Sequence, residues 1–372
     1  MGCRIAGALF HYWYIVSSRF KDAQKWTRAA RAAVTETMPP AVQAWVLLNE
    51  EWFCGGVDTA EERSRRIHDC FVQAGDAIHA AMTKSIIGRA VYYANGDYPL
   101  NLRLSEEGVE EARALGADWE LRFNLEMLAE CLRFAQQEPA RAEATYREAM
   151  MLSKAAGDLN GYARTLGRYV SGFALERLEF EESLHCTEEA LEIVEHTNDL
   201  QMVLMMQNRI AENLYYLGRE TEAMERLASC QSIAQEFMLI YPIATGKVIQ
   251  ARIAMSQANC QQARALLNES LNIVRAAARP GAFLWGAHVI VDGMSALAAV
   301  AGQSERAACL RGVADRMFAK NGQYRSANIV WEYAPYMAKA REALGDEAFD
   351  AACAAGRAMS MDASIARALG DA

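Results

Sequence analysis

One feature constrains this chain more than any other: a repeat of about 41 residues. Asp76, Asp118, Asp158 and Asp199 follow one another at 42, 40 and 41 residues, in the settings Ala-Gly-Asp, Gly-Ala-Asp, Ala-Gly-Asp and Thr-Asn-Asp. Glu107, Glu148, Glu189, Ser229 and Glu269 recur at 41, 41, 40 and 40. Two independent markers with one period define a stacked array, because a unit this short cannot bury its apolar face alone.

Each period reads as helix, tight turn, helix. The Gly or Asn before each Asp suits a left-handed helix end, and the Asp suits the N-cap of the next helix. The turns inside each pair fall near Asn95-Gly96-Asp97, Gln136-Gln137-Glu138, Leu217-Gly218-Arg219 and Ala258-Asn259. Pro99 and Pro139 stand where a first helical turn tolerates a missing N–H. Apolar residues make up 52% of the 372 positions, and only seven are Pro, so core material is ample and helices are seldom interrupted. The predicted fold is all-α, a right-handed α-α superhelix of about nine hairpins with a period of 40–41. Residues 1–372 form one array, with N-terminal hairpins in 1–75, regular repeats in 76–280, and C-terminal hairpins and a tail in 281–372.

Several function classes lose support. Net charge is −9, and the basic groups Lys21, Lys25, Arg28 and Arg31, and Arg63, Arg65 and Arg66, sit at helical spacing as solvated faces. A direct nucleic-acid footprint would need a concentrated basic surface. Nine scattered cysteines form no CxxC and stand apart from His at ligand spacing, so neither zinc nor dithiol chemistry is indicated. The six histidines are dispersed, and HExxH, GxSxG and GxGxxG are absent. No metal, cofactor or catalytic residue is therefore expected. The apolar stretch 282–301 contains His288 and Asp292, costly near a bilayer centre, and reads as a buried helix. With neither a secretory signal nor a myristoylation serine or threonine at position 6, a cytoplasmic location without membrane contact is expected.

Two stretches carry a family resemblance. One is the opening, Ile5-Ala6-Gly7-Ala8-Leu9-Phe10-His11-Tyr12-Trp13 with Phe20-Lys21-Asp22-Ala23-Gln24-Lys25-Trp26. The other is the ending, Leu344-Gly345-Asp346-Glu347-Ala348-Phe349 with Ala355-Gly356-Arg357-Ala358-Met359-Ser360-Met361-Asp362. With the long period, they resemble the MalT-like tetratricopeptide (TPR) regions of bacterial STAND-type signal-transduction ATPases and transcriptional regulators. The resemblance implies an interaction or sensor module of a regulatory protein, normally coupled to a nucleotide-binding domain. This chain lacks that domain's phosphate loop: Gly246-Lys247-Val248 has neither the earlier Gly nor the hydroxyl. Ile5, Leu9, Phe10, Trp13, Tyr14 and Val16 cover most of the first helix, so a neighbour is expected to cover it: an upstream segment or a second copy.

The binding face can be phased. Gly88, Ala129, Val170, Ala211 and Ala251 recur at 41, 41, 41 and 40 and mark where each first helix meets its partner. In tetratricopeptide arrays the next position, and those three before and four after, line the concave wall. That selects Ser85, Arg89 and Tyr92; Glu126, Glu130 and Arg133; Ser171; Asn208, Glu212 and Tyr215; and Arg252. Mixed charges with tyrosines suit a protein or peptide segment. A small-molecule inducer in the groove is the alternative, favoured if Tyr92, Tyr215 and Trp285 converge.

Overall fold

The computed structural model describes residues 2–15, 19–54, 60–135, 138–197, 199–277, 286–320 and 324–370. Among these residues every regular element is helical. The chain forms two compact units, residues 1–173 with 186–203, and residues 174–185 with 204–372.

The first unit begins with α1 (Gly2–Ala8), α2 (Phe10–Ile15), α3 (Phe20–Ala33), α4 (Pro40–Cys54) and α5 (Ala60–Gln73). The regular hairpins follow: α6 (Ala77–Asn95) with α7 (Tyr98–Ala114), and α8 (Asp118–Ala135) with α9 (Pro139–Ala155). Then come α10 (Leu159–Thr165), a π turn (Leu166–Val170) and α11 (Ser171–Glu176). The helices α12 (Phe180–Val194) and α13 (Leu200–Tyr216) contribute residues to both units. The second unit continues with α14 (Glu220–Glu236), α15 (Ile240–Ser256), α16 (Cys260–Ala277), α17 (Ala287–Val300) and α18 (Ser304–Lys320). It ends with α19 (Ala327–Leu344), α20 (Asp346–Ala358) and α21 (Met361–Leu369).

The period predicted from the sequence is a period of turns. Residues 75, 116, 157 and 238 all take positive φ between hairpins. Residues 96, 178, 218 and 258 do so within them. At residue 157 the N–H bonds back to Lys154 and the next N–H to Ser153; at residue 238 the equivalent bonds go to Gln235 and Ala234. These pairs close the helix in the Schellman manner. Asp76, Asp158 and Asp199 then cap the following helices, accepting from the N–H of His79, Gly161 and Met202. Asp118 does not: α8 starts at Asp118 itself, which places this carboxylate in the helix's first turn, where the dipole favours it.

The phased small residues lie where helices press together. Ala129, Val170, Ala211 and Ala251 are fully buried. A Cβ on Gly88 would stand 2.8 Å from the Asn101 amide oxygen, so α6 and α7 approach too closely for any side chain there. In the first unit Phe10, Leu48, Ile67, Phe71 and Phe123 share one core cluster. In the second, Ala251, Leu267, Val291, Leu310 and Tyr333 share another. The stretch read as a buried helix supplies α17, whose residues from Ala287 to Ala298 are almost all buried.

The opening segment corrects one expectation. Phe10 and Trp13 are buried in the first unit's own core, with Phe10 tilted against Trp45 and Phe53. They are therefore unavailable to a second copy, although Ile5 and Tyr12 remain exposed. Tyr14 and Val16 lie outside the residues whose side chains are described.

Candidate functional site

The eleven predicted wall residues separate by burial. In the first unit Ser85 is buried, and its hydroxyl donates to the Asn124 amide oxygen at 2.6 Å. Glu126 is also buried: Arg164 donates to both its oxygens at 3.0 Å, and Thr165 donates at 3.2 Å. Ser171 is buried and donates to the Gly167 carbonyl at 2.6 Å, inside the π turn. These three serve the interior, because a buried polar group left without a partner costs about 1–3 kcal/mol.

The other first-unit residues, Arg89, Tyr92, Glu130 and Arg133, are half-buried. Arg89 on α6 faces Glu130 on α8 across 3.8 Å, and its guanidinium lies over the rings of Trp52 and Tyr93 at 5.0 and 5.4 Å. Arg133 lies 5.5 Å over the ring of Phe173. Burial pushes the Tyr93 phenol up to about 12, so it remains a hydrogen-bond donor throughout the physiological range.

In the second unit the wall carries the same pair with the signs exchanged. Glu212 on α13 accepts from Arg252 on α15 at 2.7 Å, and Arg209 donates to its other oxygen at 3.1 Å. Burial works to raise the Glu212 carboxyl, but Arg209 and Arg252 outweigh it and hold the pKa below the ordinary value. Here the wall is covered by α19. Glu332 of that helix accepts from Arg252 at 2.9 Å, from the Tyr215 hydroxyl at 3.0 Å and from the Tyr216 hydroxyl at 3.1 Å. Asn328, one turn earlier, donates to the Tyr216 oxygen at 2.9 Å. Arg252 also lies over both tyrosine rings, at 5.4 and 4.9 Å. Asn208 is buried and bonds to the Pro242 carbonyl and the Thr245 hydroxyl. Asn208, Glu212, Tyr215 and Arg252 are thus engaged within their own unit.

Sequence phasing missed Glu332, Asn328 and Tyr216. The doublet Tyr215-Tyr216 was a signal, because Tyr92-Tyr93 stands 123 residues earlier, three periods of 41. Trp285 lies outside the described residues. Met202 and Met206 are core residues. Among the described residues one group has metal-ligand character, His11, His79 and Glu120, which sequence spacing had left apart.

The fold defines a helical-repeat protein of tetratricopeptide-like architecture, in which Arg252, Tyr215 and Tyr216 receive Glu332 of α19. Two solved structures are similar to it. A Rap protein complexed with competence and sporulation factor gives a TM-score of 0.51 at 12% identity, over 70% of this chain and 75% of that one. Aspartyl phosphate phosphatase F from Bacillus subtilis gives 0.48 at 12%, over 74% and 89%. At this identity the first likeness establishes the helical-repeat fold. No protein-family model and no curated protein sequence matches the chain. No helix among the described residues is long and apolar enough to cross a membrane.

Proposed function

We propose that this chain is a regulatory protein-binding module whose first-unit wall takes a helical or extended partner segment bearing a carboxylate. One observation carries the reading: the second unit's wall receives such a segment from the chain itself. Glu332 of α19 sits on Arg252 and the Tyr215-Tyr216 doublet. Three periods earlier Tyr92-Tyr93 recurs beside Arg89 and Glu130, half-buried. With Glu126 committed to Arg164, the remaining wall positions hold two arginines and one glutamate, which favours an acidic partner residue. Tyrosine and arginine are the side chains that dominate protein interfaces.

The Rap protein of similar fold was crystallised with competence and sporulation factor, which supports an interaction role for this architecture. The resemblance to MalT-like regions supports coupling to a nucleotide-binding signalling or transcription-regulating protein. Selection of a random displayed-peptide library on the whole chain tests the reading. Recovered peptides should contain an acidic residue beside apolar ones, and Arg89→Glu should weaken them at least about tenfold, or about 1.4 kcal/mol. Peptides that bind Arg89→Glu and Tyr92→Ala as tightly as the unaltered chain would reject the wall as the site.

A further inference from the structure

The first unit brings two histidines and a glutamate together from three helices. His11 lies on α2, His79 in the first turn of α6, and Glu120 in the first turn of α8. Nε2 of His79 stands 3.4 Å from Oε1 of Glu120, and Nε2 of His11 stands 3.8 Å from the same oxygen. All three ligand atoms lie within 4.8 Å of one another. Ligands about 2.0–2.2 Å from a tetrahedral zinc ion stand about 3.3 Å apart, so only small side-chain shifts separate this arrangement from a bound one.

We propose that His11, His79 and Glu120 form a site for a divalent transition metal, Zn²⁺ being the best match, with an open fourth position. Two imidazoles and one carboxylate are a zinc ligand set. The surroundings match those of a metal centre. Nδ1 of His79 lies 2.7 Å from Oδ2 of Asp76; a carboxylate only accepts, so Nδ1 carries a proton, and Nε2 is the ring nitrogen that would bind the metal in place of a proton. This carboxylate–histidine pairing is the usual outer support of a metal-bound imidazole. The other oxygen of Asp76 accepts from the His79 N–H, so one residue both caps α6 and fixes the ring.

Aromatic rings wall the cluster. Trp119 meets the His11 ring edge-on at 4.1 Å, Trp45 meets the His79 ring at 4.5 Å, and Phe71 lies 5.3 Å from His79. They restrict both imidazoles, while the three ligands themselves stay partly exposed. The metal has structural work available to it. The six-residue α2 is too short to be stable as an isolated helix, and a shared ion would pin it to α6 and α8.

The test is Zn²⁺ titration of the full chain by calorimetry, with Co²⁺ substitution read by visible absorption. One equivalent of Zn²⁺ should bind, Co²⁺ should give the intense bands of a four-coordinate ion, and melting should rise with added metal. His79→Gln, His11→Gln and Glu120→Gln should each cut Zn²⁺ affinity by more than tenfold. Asp76→Asn retains a competent N-cap and should cost about 10- to 100-fold in affinity. Circular dichroism of each variant distinguishes lost ligation from lost folding. An unaltered chain that takes up no Zn²⁺, or folded ligand variants that bind it as tightly as the unaltered chain, would overturn the proposal.

Discussion

The two walls differ in burial, and that difference carries the proposed role of the repeated position. On the second unit's wall, Glu212, Arg252, Tyr215 and Tyr216 close around Glu332 of α19, and Arg252 is fully buried. On the first unit's wall Arg89 and Glu130 face each other across 3.8 Å and stay partly open to solvent, flanked by a tyrosine doublet in the same register. Both walls use one positive and one negative residue on successive first helices. On the second, the covering helix is α19 of the chain itself.

The largest expected effect lies at Glu332. Glu332→Gln leaves Arg252 buried with one carboxylate instead of two and should destabilise the second unit by about 3–5 kcal/mol, measured by urea unfolding. A loss under about 1 kcal/mol would mean that α19 is held by packing alone, and the comparison would break. By the same reasoning Glu212→Lys, which would set a positive charge against Arg252 and Arg209, should disrupt the second unit.

The second effect is acid sensitivity of the core on which α19 rests. His288 is buried in α17 against the edge of Phe318, and burial, with Arg325 nearby, lowers its pKa to about 4. Its unfolded value is near 6.5, so above that pH the stability it permits is complete. As pH falls from about 6.5 towards 4 the unfolded chain gains a proton that the folded chain does not. Stability should then drop by about 3 kcal/mol over this window. His288→Gln should flatten this dependence; an unchanged slope would remove His288 from the account.

A smaller effect separates stability from binding. Gly157 and Met238 occupy equivalent turns with the same backbone bonds, yet Met238 holds φ +51 with a Cβ and is 64% exposed. Met238→Gly should gain about 1 kcal/mol by relieving left-handed strain, net of glycine's entropy, and leave peptide binding unchanged. A loss of stability would show that the side chain packs. The smallest effect is expected at the open wall, where Glu130→Gln should cost under about 1 kcal/mol, as for other solvent-screened pairs.

Much of the fold was legible because turns are locally encoded. Gly75, Gly116 and Gly157 announce left-handed ends, and Asp76, Asp158 and Asp199 announce caps, each within three residues of its partner. Asp118 misled because the Gly-Ala-Asp order moves the carboxylate one place into the helix. Burial along the wall was harder to read. Glu126 and Arg252 follow the repeat, but their partners decide their exposure: Arg164 lies 38 residues away and Glu332 lies 80. Glu332 stands two periods of 40 after Arg252, so the repeat reaches it, but phasing that stopped at residue 251 did not. The His11, His79 and Glu120 group was not read from the sequence: Glu120 follows His79 by one period of 41, but His11 belongs to no repeat.

Hydrogen exchange of the whole chain, with and without a peptide recovered by library selection, tests the central claim most directly. Slowed exchange should concentrate in residues 85–93 and 126–133, leaving residues 208–216 and 237–240 unchanged. Slowed exchange confined to residues 208–216, or to the exposed turn at 237–240, would contradict the claim that the first unit's wall is the partner site.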